Sequence, residues 1–278
     1  MDWFLEPFEL GFQQRALLGG VLAALMASTV GTWLVLRGMS FFGDAFVHGV
    51  VPGVAAAVVL DINPLLGAAV AAAVMVVAIE LVQRKTVLGE DTSIGLLFVG
   101  MLALGVVLIS RMDSYSGSLT SILFGDALGV TTADIVGQLI VLGVVLIASL
   151  LLYRPLVALS LSRDKAELLG MRPRMAHAAL LILIALAVIG SYQSVGTLLV
   201  FGLLVGPPAT ASLLTGTIRS MMIVAGAIGV FSVWAGLVLS YHWGIAASAT
   251  MALVPIVLFF LVMSFQSLLR AIRQRVSA

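Results

Sequence analysis

Residues 39–60 read MSFFGDAFVHGVVPGVAAAVVL, and this stretch decides the fold class. As a helix it is long enough to cross a bilayer, because roughly 20 mostly apolar residues span the hydrocarbon. Its two ionisable residues, Asp44 and His48, are four positions apart and therefore share one helix face. The stretch predicts a transmembrane helix that carries one polar face.

The composition extends this prediction to the whole chain. Of the 278 residues, 62% are hydrophobic and 10% are charged, and the mean hydropathy is +1.21. Soluble domains average about 45–50% apolar and about 25% charged residues. A soluble core could not hide so much apolar surface, so lipid must be the solvent. The chain has no cysteine, which excludes disulfides and thiolate metal sites, and its net charge of +1 gives no indication of nucleic-acid binding.

Hydrophobic runs predict an all-α, polytopic membrane protein with about nine transmembrane helices and a single transmembrane domain over residues 1–278. The segment 114–130 is glycine-rich and only moderately apolar, so it is either a loop or a short re-entrant helix. The predicted spans are Ala16–Leu36, Met39–Leu60, Pro64–Val82, Thr92–Ile109, Ala133–Tyr153, Met175–Gly190, Val195–Leu214, Met221–Ser240 and Ile245–Phe265.

The positions of the basic residues predict the orientation. When nine spans alternate in direction, all of the 14 lysines and arginines except Arg15 and Arg111 fall on one side. Basic loops stay in the cytoplasm. The N-terminus is therefore predicted outside and the C-terminus inside.

Asp44 and His48 are the strongest candidates for chemistry. A charged residue at a helix centre costs roughly 2.5–3.5 kcal/mol on insertion scales, so such residues usually face a cavity or a partner. Carboxylate and imidazole together are ligands that suit Zn²⁺ or Mn²⁺. The alternative is an Asp–His hydrogen bond that only packs two helices. Two residues do not fill a coordination shell, so Met39, another helix or water would supply the remaining ligands.

Prolines interrupt two apolar runs, at Pro52 and at Pro207 with Pro208. Proline removes a backbone donor and kinks a helix. Paired interruptions flank the pathway in many transporters, but an ordinary kink in a buried bundle explains the same pattern.

The segment 160–174, SLSRDKAELLGMRPR, is the most polar internal stretch. It reads as a short amphipathic helix that ends at a glycine. It either docks a soluble partner or is a solvated basic loop that sets the topology. The candidate docking residues are Arg163, Asp164, Glu167, Leu168, Leu169 and Gly170.

No GxxxxGK[ST] phosphate-binding loop occurs in the sequence, so the chain is not expected to hydrolyse ATP itself. If ATP powers transport, the ATPase is a separate polypeptide.

Six stretches, in order along the chain, resemble the membrane subunit of the zinc/manganese/iron family of ABC importers. They are LRGMSFFGDAFVHGVVPGVA (Leu36–Ala55), GEDTSIGLLF (Gly89–Phe98), ILFGDALGVT (Ile122–Thr131), DKAELLGM (Asp164–Met171), SVGTLLVFGLLVGPPATASLL (Ser194–Leu214) and GLVLSYHWGIAASAT (Gly236–Thr250).

The resemblance implies a permease of the bacterial cytoplasmic membrane, which is not an enzyme and holds no permanent cofactor. Such a permease pairs with a second permease subunit, either another copy of itself in a homodimer, which is the expected arrangement, or a close relative. It works with two cytoplasmic ATP-binding subunits and an extracytoplasmic metal-binding protein. Asp164–Met171 matches the coupling helix that sits on the ATPase, and Asp44 with His48 matches the pair that meets the metal in transit.

Two positions depart from the family pattern: Ala247 stands where a proline is frequent, and Pro207–Pro208 is a doubled proline where one is usual.

Three alternatives remain open from the residues: an ion-coupled secondary carrier, an ABC permease for a metal chelate, and a helical scaffold without transport. The sequence does not distinguish zinc, manganese and iron as the cargo.

Overall fold

A computed structural model describes residues 2–86, 90–110, 128–161, 167 and 170–276. Within these ranges the chain is helical and contains no strand. The helices are α1 (Asp2–Leu5), a 3-10 turn (Glu6–Glu9), α2 (Gly11–Leu36), α3 (Ser40–Gly49), α4 (Val51–Val59), α5 (Pro64–Lys85), α6 (Glu90–Ile109), α7 (Thr132–Leu151), α8 (Tyr153–Leu161), α9 (Pro173–Leu214), α10 (Ile218–Trp243) and α11 (Ala247–Val276).

The predicted spans match helices of the structure. Among the described residues, eight stretches are long and apolar enough to cross a membrane, with α3 and α4 together forming one of them, Ser40–Val59. The predicted span Val195–Leu214 corresponds to a shorter apolar helix, Leu198–Leu214. The all-α, polytopic class is confirmed. Most of the segment 114–130, predicted to be a loop or a re-entrant helix, lies outside the described residues, since only 128–130 are described.

Helix α9 is two helices joined at a sharp break. Gly196 has φ 73° and ψ 168°, a conformation that favours glycine. The first part, α9a (Pro173–Ser191), begins beside the end of α2, where His177 Nδ1 is 2.8 Å from Arg37 Nη1. The second part, α9b (Leu198–Leu214), ends there too, since Ala211 belongs to a buried cluster against which Val35 and Leu36 of α2 pack. The two parts therefore run in opposite directions, as alternating spans require.

Basic side chains gather at this same end of the bundle, which is here called the basic end. Arg219 stacks over the ring of Tyr153 at 5.6 Å, and that ring packs edge-on against Trp33 at 5.6 Å. Arg154 follows Tyr153 directly. The grouping agrees with the basic bias on which the predicted orientation rests.

Helices approach one another closely at small residues. A Cβ on Gly53 would lie 2.1 Å from the carbonyl oxygen of Gly67, and a Cβ on Gly67 would lie 2.1 Å from that of Gly53. The backbones of α4 and α5 therefore touch. The hydrophobic effect does not drive helices together in lipid, because lipid tails are as apolar as the side chains. Close van der Waals contact between backbones stabilises their association instead. Small residues also allow close packing between α2 and α10. Gly20 lies against the side chain of Val233, and Ala24 lies against Gly229.

The outer surface is apolar. Val70, Val74 and Val77 on α5 are more than half exposed, and so are Leu139 and Ile147 on α7. The surface of a soluble monomer rarely carries such continuous apolar patches. These helix faces are therefore suited to lipid tails.

We predict that Gly67→Ala lowers the apparent unfolding temperature of the detergent-purified protein by several degrees, because the new methyl group would overlap the backbone of α4. Overpacking of this kind costs about 1–3 kcal/mol. The measurement is a thermal-unfolding scan. Gly100→Ala on α6 is the matched control, since a Cβ there meets no atom within 4 Å. Equal unfolding temperatures for the two variants would contradict the packing account.

Candidate functional site

Helix α3 exposes one narrow stripe. Phe41, Asp44 and His48 follow each other at helical spacing. Phe41 is exposed, and Asp44, His48 and the preceding Ser40 are partly exposed. The other six residues of α3 are buried: Phe42, Gly43, Ala45, Phe46, Val47 and Gly49. Phe41, Asp44 and His48 are called the α3 stripe. The two ionisable residues of this span, Asp44 and His48, thus form the polar part of the α3 stripe.

Asp44 and His48 point at each other along this stripe. His48 Nε2 lies 3.4 Å from Asp44 Oδ1, and their side chains are 25% and 28% exposed, respectively. Two ligand atoms that bind one ion at about 2.1 Å each lie roughly 3.0–3.4 Å apart. The pair therefore has the spacing of two ligands of a common cation. The same contact also suits an Asp–His ion pair without metal.

Phe98 of α6 forms an apolar wall beside the pair. Its ring centroid is 6.2 Å from that of His48 and 5.9 Å from that of Phe41, which it meets edge-on. The sequence did not single out Phe98 for this role, because one aromatic residue in an apolar run has no distinctive spacing. Its ring places an apolar surface beside the imidazole.

Helix α9b presses against α3 just before the pair. A Cβ on Gly43 would lie 2.6 Å from Leu204 Cδ2. The backbone carbonyl of Leu204 faces the other way, and a Cβ on Gly31 of α2 would lie 1.9 Å from its oxygen. Leu204 is four residues before Pro208, which has no N–H to donate to that carbonyl. The proline thus frees a carbonyl at the point where α2 comes closest.

The predicted interruptions therefore have packing roles. Pro207 and Pro208 lie inside α9b, next to the α2 contact. Pro52 stands in the first turn of α4, directly after the break that separates α3 from α4 at Val50. A Cβ on Gly105 of α6 would lie 3.3 Å from the nitrogen of Pro52. A role of these prolines in a pathway stays a prediction.

Met39, the predicted additional ligand, caps α3 and is 4% exposed. It belongs to the main hydrophobic core rather than to the α3 stripe. Its participation in metal binding stays a prediction.

The other two histidines have different neighbours. His177 is 7% exposed and contacts Arg37. His242 Nε2 is 2.7 Å from the carbonyl oxygen of Trp3, and its ring stacks on that indole with centroids 4.1 Å apart. Within the described ranges, no group of three or more histidine, aspartate or glutamate side chains is arranged to hold a metal ion. Asp44 and His48 thus offer two ligands and need others.

The predicted docking segment is only partly described. Gly170 has φ 69°, and its N–H donates to the carbonyl oxygen of Glu167 at 2.9 Å. This turn agrees with the predicted helix end at a glycine. Arg163, Asp164, Leu168 and Leu169 lie outside the described residues, so the docking role stays a prediction.

Residues 9–266 match the model of the ABC 3 transport family. The chain is 35% identical over 263 residues to the manganese transport system membrane protein MntC of Listeria innocua, covering 94% of each chain. It is 31% identical over 270 residues to the chelated iron transport system membrane protein YfeD of Yersinia pestis, covering 97% of this chain and 90% of that one.

A solved structure, PsaBC from Streptococcus pneumoniae in complex with Fab, contains a chain with the same fold. The TM-score is 0.83 at 31% sequence identity, and the match covers 93% of this chain and 94% of that one.

Proposed function

Since this chain belongs to the ABC 3 transport family, whose model covers residues 9–266, we propose that it is the membrane-spanning permease subunit of an ATP-driven importer of divalent transition-metal ions. The observation that carries the proposal is the α3 stripe. An otherwise buried transmembrane helix keeps a carboxylate and an imidazole accessible and 3.4 Å apart. Ionisable groups inside a membrane generally mark a substrate path.

Manganese is the first candidate for the cargo. The relative from Listeria innocua is named for manganese transport, and the one from Yersinia pestis is named for chelated iron. One oxygen ligand and one nitrogen ligand suit Mn²⁺, Fe²⁺ and Zn²⁺ alike. Of these ions, Zn²⁺ binds most such sites the most tightly. A transit site must also release its ion, so weaker binding serves transport. Zinc is the second candidate by ligand type.

A second copy of the chain completes the site in this proposal. Two ligands do not satisfy a divalent transition metal, which takes four to six. Because the α3 stripe is accessible, two copies that meet along it bring two Asp–His pairs to one axis. Water supplies any remaining ligands.

Energy comes from separate ATP-binding subunits, since the sequence contains no phosphate-binding loop. Two such subunits bind the segment around Asp164–Met171, and an extracytoplasmic binding protein delivers the ion to the opposite face. ATP binding and hydrolysis move this segment, which opens the path past Asp44 and His48 toward the cytoplasm.

We predict that Asp44→Asn combined with His48→Gln lowers manganese uptake by about tenfold or more. Loss of a residue that only supports a metal ligand already lowers metal affinity or activity about 10–100-fold, and here the ligands themselves are removed. The measurement is uptake of radioactive Mn²⁺ into cells that lack their own importer and express this permease with its partner genes.

The matched control is Asp61→Asn with His242→Gln, which removes the same groups away from the α3 stripe. Membrane amounts of all proteins are compared by immunoblot. Wild-type uptake by the Asp44→Asn/His48→Gln protein at equal amounts would refute the proposed role of the pair.

We predict that Asp164→Lys with Glu167→Lys abolishes uptake and prevents co-purification of the ATP-binding subunit, because it reverses both acidic charges of the docking segment. Asp2→Lys with Glu6→Lys makes the same change of charge near the N-terminus and serves as control. Co-purification and ATPase stimulation at the control level would show that this segment does not dock the ATPase.

The main competing function is a secondary carrier driven by an ion gradient, which would use the same pair. The two differ in energy source. Uptake that survives ATP depletion but stops when the ion gradient is collapsed would establish the carrier and exclude the ABC importer.

A further inference from the structure

A long groove opens on the outside of the bundle between α2, α7, α8 and α10. Its volume is about 1340 Å³. It follows α10 from Arg219 at the basic end to Trp234, which is about 22 Å at the rise of an α-helix. Most of its wall is apolar, and the exposed residues of that wall include Leu146, Leu150, Ile223 and Phe231.

Two arginines stand at one end of the groove. Arg154 and Arg219 both line it and are exposed. No carboxylate among the described residues forms an ion pair with either guanidinium. Arg219 is held in place by Tyr153, whose ring centroid is 5.6 Å from the guanidinium carbon. The groove thus joins a positively charged end to a long apolar trough.

We propose that this groove binds an anionic phospholipid. The guanidinium groups of Arg154 and Arg219 bind the phosphate. The acyl chains lie along the trough toward Phe231 and Trp234. Basic pockets between transmembrane helices are known to hold anionic head groups, and a positively charged end followed by an apolar wall matches the order of the phosphate and the acyl chains in such a lipid.

A second copy of the chain fits this groove less well. Thr29 of α2 lines the groove, whereas Gly31, two residues on, contacts α9b. Two residues correspond to roughly 200° around a helix, so these contacts lie on opposite sides of α2. The helix α9b in turn packs on α3 through Leu204 and Gly43. The α3 stripe and the groove therefore belong to different sides of the bundle, and two copies that meet at the stripe leave the groove open to lipid.

The test is native mass spectrometry of the purified protein with added phosphatidylglycerol or phosphatidylcholine of identical acyl chains. Wild-type protein is expected to bind one phosphatidylglycerol about 25-fold more tightly than phosphatidylcholine, since each of the two arginines contributes about fivefold near a membrane surface. Arg154→Gln with Arg219→Gln is expected to abolish this preference.

Arg172→Gln with Arg174→Gln removes the same charge near the same end but outside the groove, and it is expected to keep the preference. An equal loss in both double variants would assign the effect to general surface charge and overturn the proposal. Equal affinity of the wild type for the two lipids would overturn it as well.

One further variant tests the apolar part of the groove. Ala227→Trp, which fills the trough, is expected to weaken the binding of both lipids and to leave the mass of the protein assembly unchanged. If Ala227→Trp instead dissociates a dimer without affecting lipid, a second copy occupies the groove and the proposal is wrong.

Discussion

Close approach between helix backbones is the constraint on which this structure depends. Inside a bilayer every backbone polar group must be satisfied within the protein, and apolar side chains gain nothing by leaving lipid for one another. Tight contact at small residues then has to hold the helices together. The mutual contact of Gly53 with Gly67, and that of Gly31 with the Leu204 carbonyl, are the closest of these.

These contacts also determine which residues remain accessible. Helix α9b sits against Gly31 of α2 on one side and, on the other, against Gly43 of α3, the residue before Asp44. Phe98 of α6 stands beside His48. The open part of α3 is thereby reduced to the α3 stripe, and the carboxylate and imidazole meet there rather than on a wide polar surface. The packing that stabilises the fold thus also isolates the candidate metal ligands.

Much of the fold follows from the sequence, because apolar runs of membrane length correspond directly to helices. Asp44 and His48 were also recognisable, since ionisable groups four residues apart in an apolar run are rare. Phe98 was not, because its role depends on which helix lies beside α3, and apolar helices carry little information about their neighbours. The same holds for Leu204: Pro208 indicates a free carbonyl, but only the three-dimensional packing shows that Gly31 of α2 lies against it.

The central claim is that Asp44 and His48 hold the transported ion. Electron spin-echo spectroscopy of Mn²⁺ added to the purified protein tests this most directly, because a histidine ligand gives modulation from its ring nitrogen. The account predicts that wild-type protein shows this nitrogen modulation, that His48→Gln removes it, and that His242→Gln leaves it intact. Unchanged nitrogen modulation in His48→Gln would contradict the account.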